Sequence, residues 1–191
     1  MKIFLKYILI FCCTYSCLGQ LLPGTLYGTA GPTYSQTLGD LVSEAGEDDG
    51  TVAYETGASE VQITYRLDPG TLTSSAYNCS ANVYKYKVFM HLQNAPVGLV
   101  LEARTFANAG TRYPLSISYD SFPLIGPRNL YPENGGDYII LPEDNTAAIK
   151  VFEFIGCRDN IPIQFRVAAS VLSEPGVSNT EIYYTITGSL N

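Results

Sequence analysis

Toward its C-terminus the chain alternates. Ile161, Ile163, Phe165, Val167, Ala169 and Val171 occupy one side of a period-two pattern, with Gln164, Arg166 and Ser170 on the other. Beyond Ser173-Glu174-Pro175-Gly176 the alternation resumes: Ile182, Tyr184, Ile186 and Leu190 face one way, and Glu181, Tyr183, Thr185, Thr187 and Ser189 the other. Successive strand side chains point to opposite faces, so the pattern predicts a terminal β-hairpin with one solvated face. An isolated hairpin is marginal in water, so the upstream sequence has to supply more sheet.

It does so at intervals. Val61, Ile63, Tyr65 and Leu67 alternate with Gln62, Thr64 and Arg66 until Asp68-Pro69-Gly70 ends the run with turn chemistry. Tyr84, Tyr86, Val88, Met90 and Leu92 alternate with Lys85, Lys87, Phe89 and His91, and after Asn94-Ala95-Pro96 a second run, Leu99 to Arg104, completes a second predicted hairpin. Leu115 to Tyr119 reads as a strand, and Tyr138 to Leu141 as a short apolar run. Thr146 to Ile155 is apolar on both sides of the pattern, which predicts a central strand or one covered on both faces.

Only Leu38, Leu41, Val42 and Ala45, behind Thr37 as N-cap, fall at helical spacing, so at most one short helix is expected. Residues 20–37, with Gly24, Gly28, Gly31 and Pro32, lack clean alternation and read as an extended arm or an edge strand. Seven to nine short strands make an all-β antiparallel sandwich, Ig-like or jelly-roll, in a single domain over residues 20–191.

The first 19 residues have the layout of a secretory signal peptide: Lys2 and Lys6, an apolar run from Tyr7 to Cys13, then small or polar residues to Gly19. The run is shorter than the roughly 20 residues that span a bilayer. Cleavage is expected between Gly19 and Gln20; a lipid anchor on Cys17 is the rival reading. Removing 19 of 191 residues leaves 172 and takes two of the 11 basic residues, so 9 bases face 18 acids, a net charge of −9. Such a chain repels nucleic acid and anionic lipid. Three of the five cysteines leave with the signal, and the remaining pair, Cys79 and Cys157, is expected to be bridged in an exported protein. The location implied is secreted or cell-surface, with the periplasm as the alternative.

Catalytic signals are sparse. His91 is the one imidazole, on the side of its strand shared with Lys85 and Lys87, and is read as solvent-exposed; no G-x-S-x-G accompanies it. A carboxylate pair would serve a glycosidase, yet no two acids are singled out. Glu44, Glu47, Asp48 and Asp49, and separately Asn134, Asp137, Glu143 and Asp144, offer hard oxygen ligands of the kind Ca²⁺ uses, with Glu47, Asp48 and Asp49 as the candidates. Neither cluster has EF-hand spacing, so both are read as acidic turns and no cofactor is expected. Asn78-Cys79-Ser80 matches the glycosylation sequon, but a bridged cysteine in its middle makes a poor acceptor. Tyr113, Tyr131, Tyr138 and Tyr183 form a candidate platform for glycan or protein partners, because tyrosine stacks while its hydroxyl stays wet.

A signal peptide, a small acidic Thr/Tyr-rich all-β domain, one cysteine pair and a chain ending within its last amphipathic strand together resemble exported bacterial pilin-type or coat-type sandwich subunits. The likeness spans roughly residues 60–190. It departs from chaperone–usher pilins at Leu190, which stands where many of them carry a tyrosine next to the C-terminus. The resemblance implies a structural role and no catalytic residues. Residues 21–37, partly apolar and rich in glycine, are read separately as a mobile partner in assembly through β edges, with an edge strand closing their own sandwich as the alternative. The competing expectations are an adhesive module using the exposed tyrosines and, behind it, a carboxylate-dependent hydrolase. Secreted protein is expected to begin at Gln20, as intact mass or N-terminal sequencing will show; a lipidated species starting at Cys17 would overturn the assignment.

Overall fold

The longest strand, β10 (Cys157–Ala169), has 13 residues and four of the other strands lie directly along it. A computed structural model describes residues 24–29, 54–121, 127–169 and 176–190 of the chain. On one side β10 carries β3 (Val61–Leu67) along its first half and the two-residue β2 (Tyr54–Glu55) further on. On the other it carries β6 (Thr111–Tyr113) and then β5 (Leu99–Arg104). With β1 (Gly24–Gly28) outside β3 and β8 (Ile139–Ile140) outside β5, these make a seven-stranded antiparallel sheet. Opposite it lies a four-stranded sheet, in the order β11 (Glu181–Ser189), β4 (Lys85–Gln93), β9 (Ile149–Ile155) and β7 (Leu130–Pro132). The fold is an all-β sandwich, with one short helix, α1 (Ser75–Ser80), among the described residues.

Each flank of β10 is broken, and side chains mend both breaks. Between β3 and β2, Thr56 donates its N–H to the Phe165 carbonyl at 2.9 Å and accepts the Phe165 N–H on its hydroxyl at 2.8 Å. Between β5 and β6, the Thr105 hydroxyl donates to the Pro162 carbonyl at 2.6 Å. That second break explains how a proline sits inside a central strand. A strand residue's N and C=O point to the same side, so the missing donor of Pro162 faces the gap and costs no ladder bond. One extra residue separates Arg158 (opposite Tyr65) from Ile161 (opposite Ile63), and Asn160 takes the left-handed conformation there, φ 51°. This bulge resets the alternation so that Ile161, Ile163, Phe165 and Val167 all enter the core.

The pairing is nested. β3 pairs with β10, β4 with β9 and β5 with β8, as though the chain were folded double and then rolled up. From β3 onward every step except β5 to β6 crosses from one sheet to the other. This is a jelly-roll plan, and it corrects both predicted hairpins. β10 and β11 lie in different sheets, and β11 pairs with β4; β4 and β5 are likewise in different sheets. Alternation reports which face is buried, whichever strand lies alongside. Residues 115–119 also depart from expectation: Ser118–Ser121 form a 3₁₀ turn in which the Ile117 N–H donates to Asp120. The described strands number eleven because several have only two or three residues and carry no periodic signal. α1 stands in what reads as a Ser/Thr-rich loop, capped by the Ser74 hydroxyl accepting the Tyr77 N–H. The helix read at residues 38–45 lies outside the described residues, as do residues 1–23.

Between the sheets, Tyr65, Tyr86 and Phe154 form an aromatic cluster with ring centroids 4.5–6.0 Å apart, surrounded by Val88, Met90, Phe152, Ile161 and Ile163. The Cys79–Cys157 bridge joins α1 to the first residue of β10, with both cysteines buried. Its sequence separation of 78 residues gives a chain-entropy stabilisation of about 4–5 kcal/mol.

Two arginines are wholly enclosed at one end of the sandwich. Arg158 donates to the carbonyls of Ala109, Asn108 and Arg128 at 2.6–3.0 Å, tying the β5–β6 connector to the segment entering β7. Burial, with Arg112 and Arg128 close by, pulls its guanidinium down to about 10, so it stays charged at neutral pH. Arg128 forks onto Asp120 at 2.8 and 2.9 Å, and the guanidinium holds that carboxyl below its usual range. A carboxyl lowered by folding stabilises the fold above its unfolded pKa of about 3.9, and that stabilisation is lost as the pH falls through the folded value. Asp120→Asn leaves a buried charge unpaired and should cost about 3–5 kcal/mol at pH 7. Urea unfolding at pH 7 and pH 3 should show the gap between wild type and variant narrowing in acid; a constant gap would mean that Asp120 is not the counter-ion.

Candidate functional site

The four tyrosines of the expected platform are placed apart. Tyr113 lies on β6 beneath the Arg66 guanidinium, 3.8 Å from its ring centroid, and Arg66 is itself forked onto Asp159 at 2.7 and 2.8 Å. Tyr138 stands in the β7–β8 connector, over the outward face of the seven-stranded sheet. Arg104 and Arg166 both lie over its ring, at 4.4 and 4.3 Å from the centroid. Its hydroxyl donates to Glu55 at 2.6 Å; burial first, then this bond, raises its pKa well above the ordinary tyrosine value. The same cluster pairs Arg104 with Glu55 and Gln164, and Arg166 with Glu102. Stacked in this way, Tyr113 and Tyr138 hold their own sheet. Tyr131 and Tyr183 remain exposed, on β7 and β11, at opposite edges of the four-stranded sheet. The sequence signal for the Tyr138 cluster lies in the complementary charges at alternating positions Glu102/Arg104 and Gln164/Arg166, facing one another across β5 and β10.

His91 shares its face with Lys85 and Lys87 as expected, but it is not exposed. It is 6% accessible, and the Tyr183 ring stacks on it at 5.2 Å and 18° between planes. Beside it the β8–β9 connector takes over from β9, the Leu92 N–H donating to the Pro142 carbonyl. Neither imidazole nitrogen has a hydrogen-bond partner among the described residues, so no base or orienting group is in place for it.

Several of the described acids are engaged with bases or with main chain. Lys85 and Lys150 flank Glu153, and Lys150 also reaches Glu133. Burial pushes Glu153 up, but the two lysines outweigh it and its pKa falls. Asp144 is lowered by the N–H and hydroxyl of Thr146, which it caps, with a smaller contribution from His91, and Glu143 accepts the Ala95 N–H. A glycosidase acid needs a carboxyl raised by its surroundings, whereas Asp120, Asp144 and Glu153 are each lowered by theirs. The calcium candidates Glu47, Asp48 and Asp49 lie outside the described residues. Among those described, no three His, Cys, Asp or Glu side chains converge on a metal position. The sequon asparagine, Asn78, is buried and donates its amide to the Asp68 carbonyl at 2.7 Å.

What stays accessible are sheet edges. β1 is exposed along most of its length; only Leu26 packs on the core. It is held by its ladder to β3, by Thr25 donating to Asp68 at 2.6 Å, and by the exchange of Thr29 with Gln62. At Gly24 a Cβ would collide with the Tyr65 hydroxyl, so a larger residue there would have to displace that ring for the strand to seat. Among the described residues β11 is the outermost strand of the other sheet, in nine register pairs with β4 and no shift.

His91→Phe keeps the stack on Tyr183 and removes two buried nitrogens that have no partner among the described residues, so it should match or exceed wild-type stability, by up to about 1 kcal/mol, whereas His91→Ala should lose about 2 kcal/mol. Thermal melts of the three proteins distinguish these outcomes; a strongly destabilised His91→Phe would show that the nitrogens do have partners. Comparison with protein-family models, curated proteins and solved structures yields no match, so the functional reading rests on this geometry.

Proposed function

We propose that the protein is a non-catalytic, exported structural module, a cell-surface or appendage subunit, that associates with other subunits through its β edges. The observation that carries this reading is the seating of β1. Five residues lie antiparallel on β3, bound by main chain and two threonines, with a single side chain in the core. A segment held in this way can be replaced by the same segment of another copy, because strand addition draws its affinity from main-chain hydrogen bonds and its register from side-chain pockets. Leu26 and the glycine at position 24 supply that register. The buried disulfide suits an oxidising compartment outside the cytosol. An adhesive reading has less support, since Tyr113 and Tyr138 are covered by arginines and Tyr131 and Tyr183 stand at opposite edges.

The test uses the mature chain lacking residues 20–36, together with a synthetic peptide of residues 20–29. The shortened domain should stay folded by circular dichroism, lose self-association and bind the peptide saturably. Thr29 donates its N–H to Gln62, so at the same parity Tyr27 also donates toward β3. A Tyr27→Pro peptide should therefore bind about tenfold more weakly or worse, one ladder bond plus a clash being worth about 1.4 kcal/mol. A deletion that unfolds the domain, or a folded domain that ignores the peptide, ends the proposal.

A further inference from the structure

The seven-stranded sheet sets two arginines against each other. Arg112 on β6 stands directly opposite Arg158 on β10, so the two side chains leave the same face of the sheet from neighbouring positions. Like charges so placed repel. Arg128 brings a third guanidinium to this end of the sandwich: Arg158 donates to its carbonyl, and burial first, then the charges of Arg112 and Arg128, pull Arg158 down to about 10. Three of the chain's 11 basic residues thus gather at one place in an acidic protein. One carboxylate answers them. Asp120 is forked onto Arg128, and among the described residues neither Arg112 nor Arg158 has an acid within ion-pair distance. Arg158 spends its donors on three carbonyls, which are dipoles and bring no net charge. Asp159 follows it directly and so leaves the opposite face of β10, where Arg66 holds it.

Three positive charges against one negative leave two uncompensated, and the cluster has donors to spare. Arg128 is wholly buried, yet its Nη1 has no hydrogen-bond partner among the described residues. Arg112 donates through Nη2 to Asn129 at 2.9 Å, and both of these residues are half-buried, so solvent reaches the cluster from their side. We infer that this end of the sandwich binds a small tetrahedral oxyanion, inorganic phosphate or sulfate, seated on Arg112 with the unused Nη1 of Arg128 as its inner donor. Charges taken out of water are tolerated when they are paired, and an anion here pairs what Asp120 alone does not. The planar guanidinium fork matches two oxygens of such an ion, a geometry chloride cannot offer. A tetrahedral ion also turns oxygens toward more than one guanidinium at once, which a flat carboxylate does less well. Once bound, it would fasten β6 to the segment entering β7, the region that Arg158 already ties to the β5–β6 connector. This site is separate from the β1 edge and does not depend on it.

The test uses the mature chain, residues 20–191, dialysed into chloride and titrated with inorganic phosphate at fixed ionic strength. Phosphate strengthens burial in any protein by being excluded from its surface, so the reading is the difference between wild type and Arg112→Gln. Above saturation, each tenfold rise in phosphate should raise the wild-type melting temperature by about 3–5 °C more than that of the variant. Parallel responses overturn the inference. Equilibrium dialysis with labelled phosphate reads the site directly: wild type should hold about one ion per chain, and Arg112→Gln should bind it at least about tenfold more weakly. A wild-type chain that retains no phosphate overturns the inference even where the variant fails to fold. Methyl phosphate should compete poorly, because Arg128 is enclosed and leaves an ester little room. Competition equal to that of the free ion would overturn the assignment to an inorganic anion.

Discussion

The geometry of β10 constrains the rest of the sandwich. β3, β2, β6 and β5 all take their register from it, and β1 and β8 attach to two of those four. A strand of 13 residues cannot keep one alternation and one straight ladder across a twisted sheet, and β10 meets this with a bulge at Asn160 and a proline placed opposite a gap. The hydroxyls of Thr56 and Thr105 then supply the bonds that the interrupted neighbours leave unmade. Losing either hydroxyl would leave a buried main-chain group without a partner, a cost of the same order as losing a whole hydrogen bond.

The faces of the strands were legible in the sequence; their partners were not. In β3 and β11 the apolar positions pack as the alternation predicts, and β9 is the central strand its two-sided apolar pattern implies. The hairpins failed because period two says nothing about which strand lies alongside. One signal did bear on the terminal pair: eleven residues separate Ala169 from Glu181, long for a hairpin and ample for crossing between sheets. No such warning preceded the β4–β5 step, whose short connector with left-handed Asn94 and Gly98 suits a hairpin equally well. The nested pairs bring together residues nearly a hundred positions apart, Ile63 with Ile161 for example, and no local pattern encodes that.

At the candidate site the residue types were read more securely than their surroundings. Tyrosines were expected to be wet and available, and two of the four are, but arginine was overlooked as their competitor for contact. A guanidinium stacks on an aromatic face while keeping its hydrogen bonds in the ring plane. Arg66, Arg104 and Arg166 each do both, which turns exposed positions into braces across the sheet. The parity of His91 was right and its exposure wrong, because what covers it comes from the neighbouring strand and a distant connector.

The disulfide has a topological effect separate from its contribution to stability. Cys79 lies ahead of β4 and Cys157 just after β9, so the bridge closes a covalent ring that contains every strand from β4 to β9. Leu115, three-quarters exposed, lies on that ring in a stretch without strand structure. A protease that cut there would open the ring without dividing the molecule. The two fragments would stay linked through sulfurs that solvent does not reach, and they would separate only after unfolding and reduction.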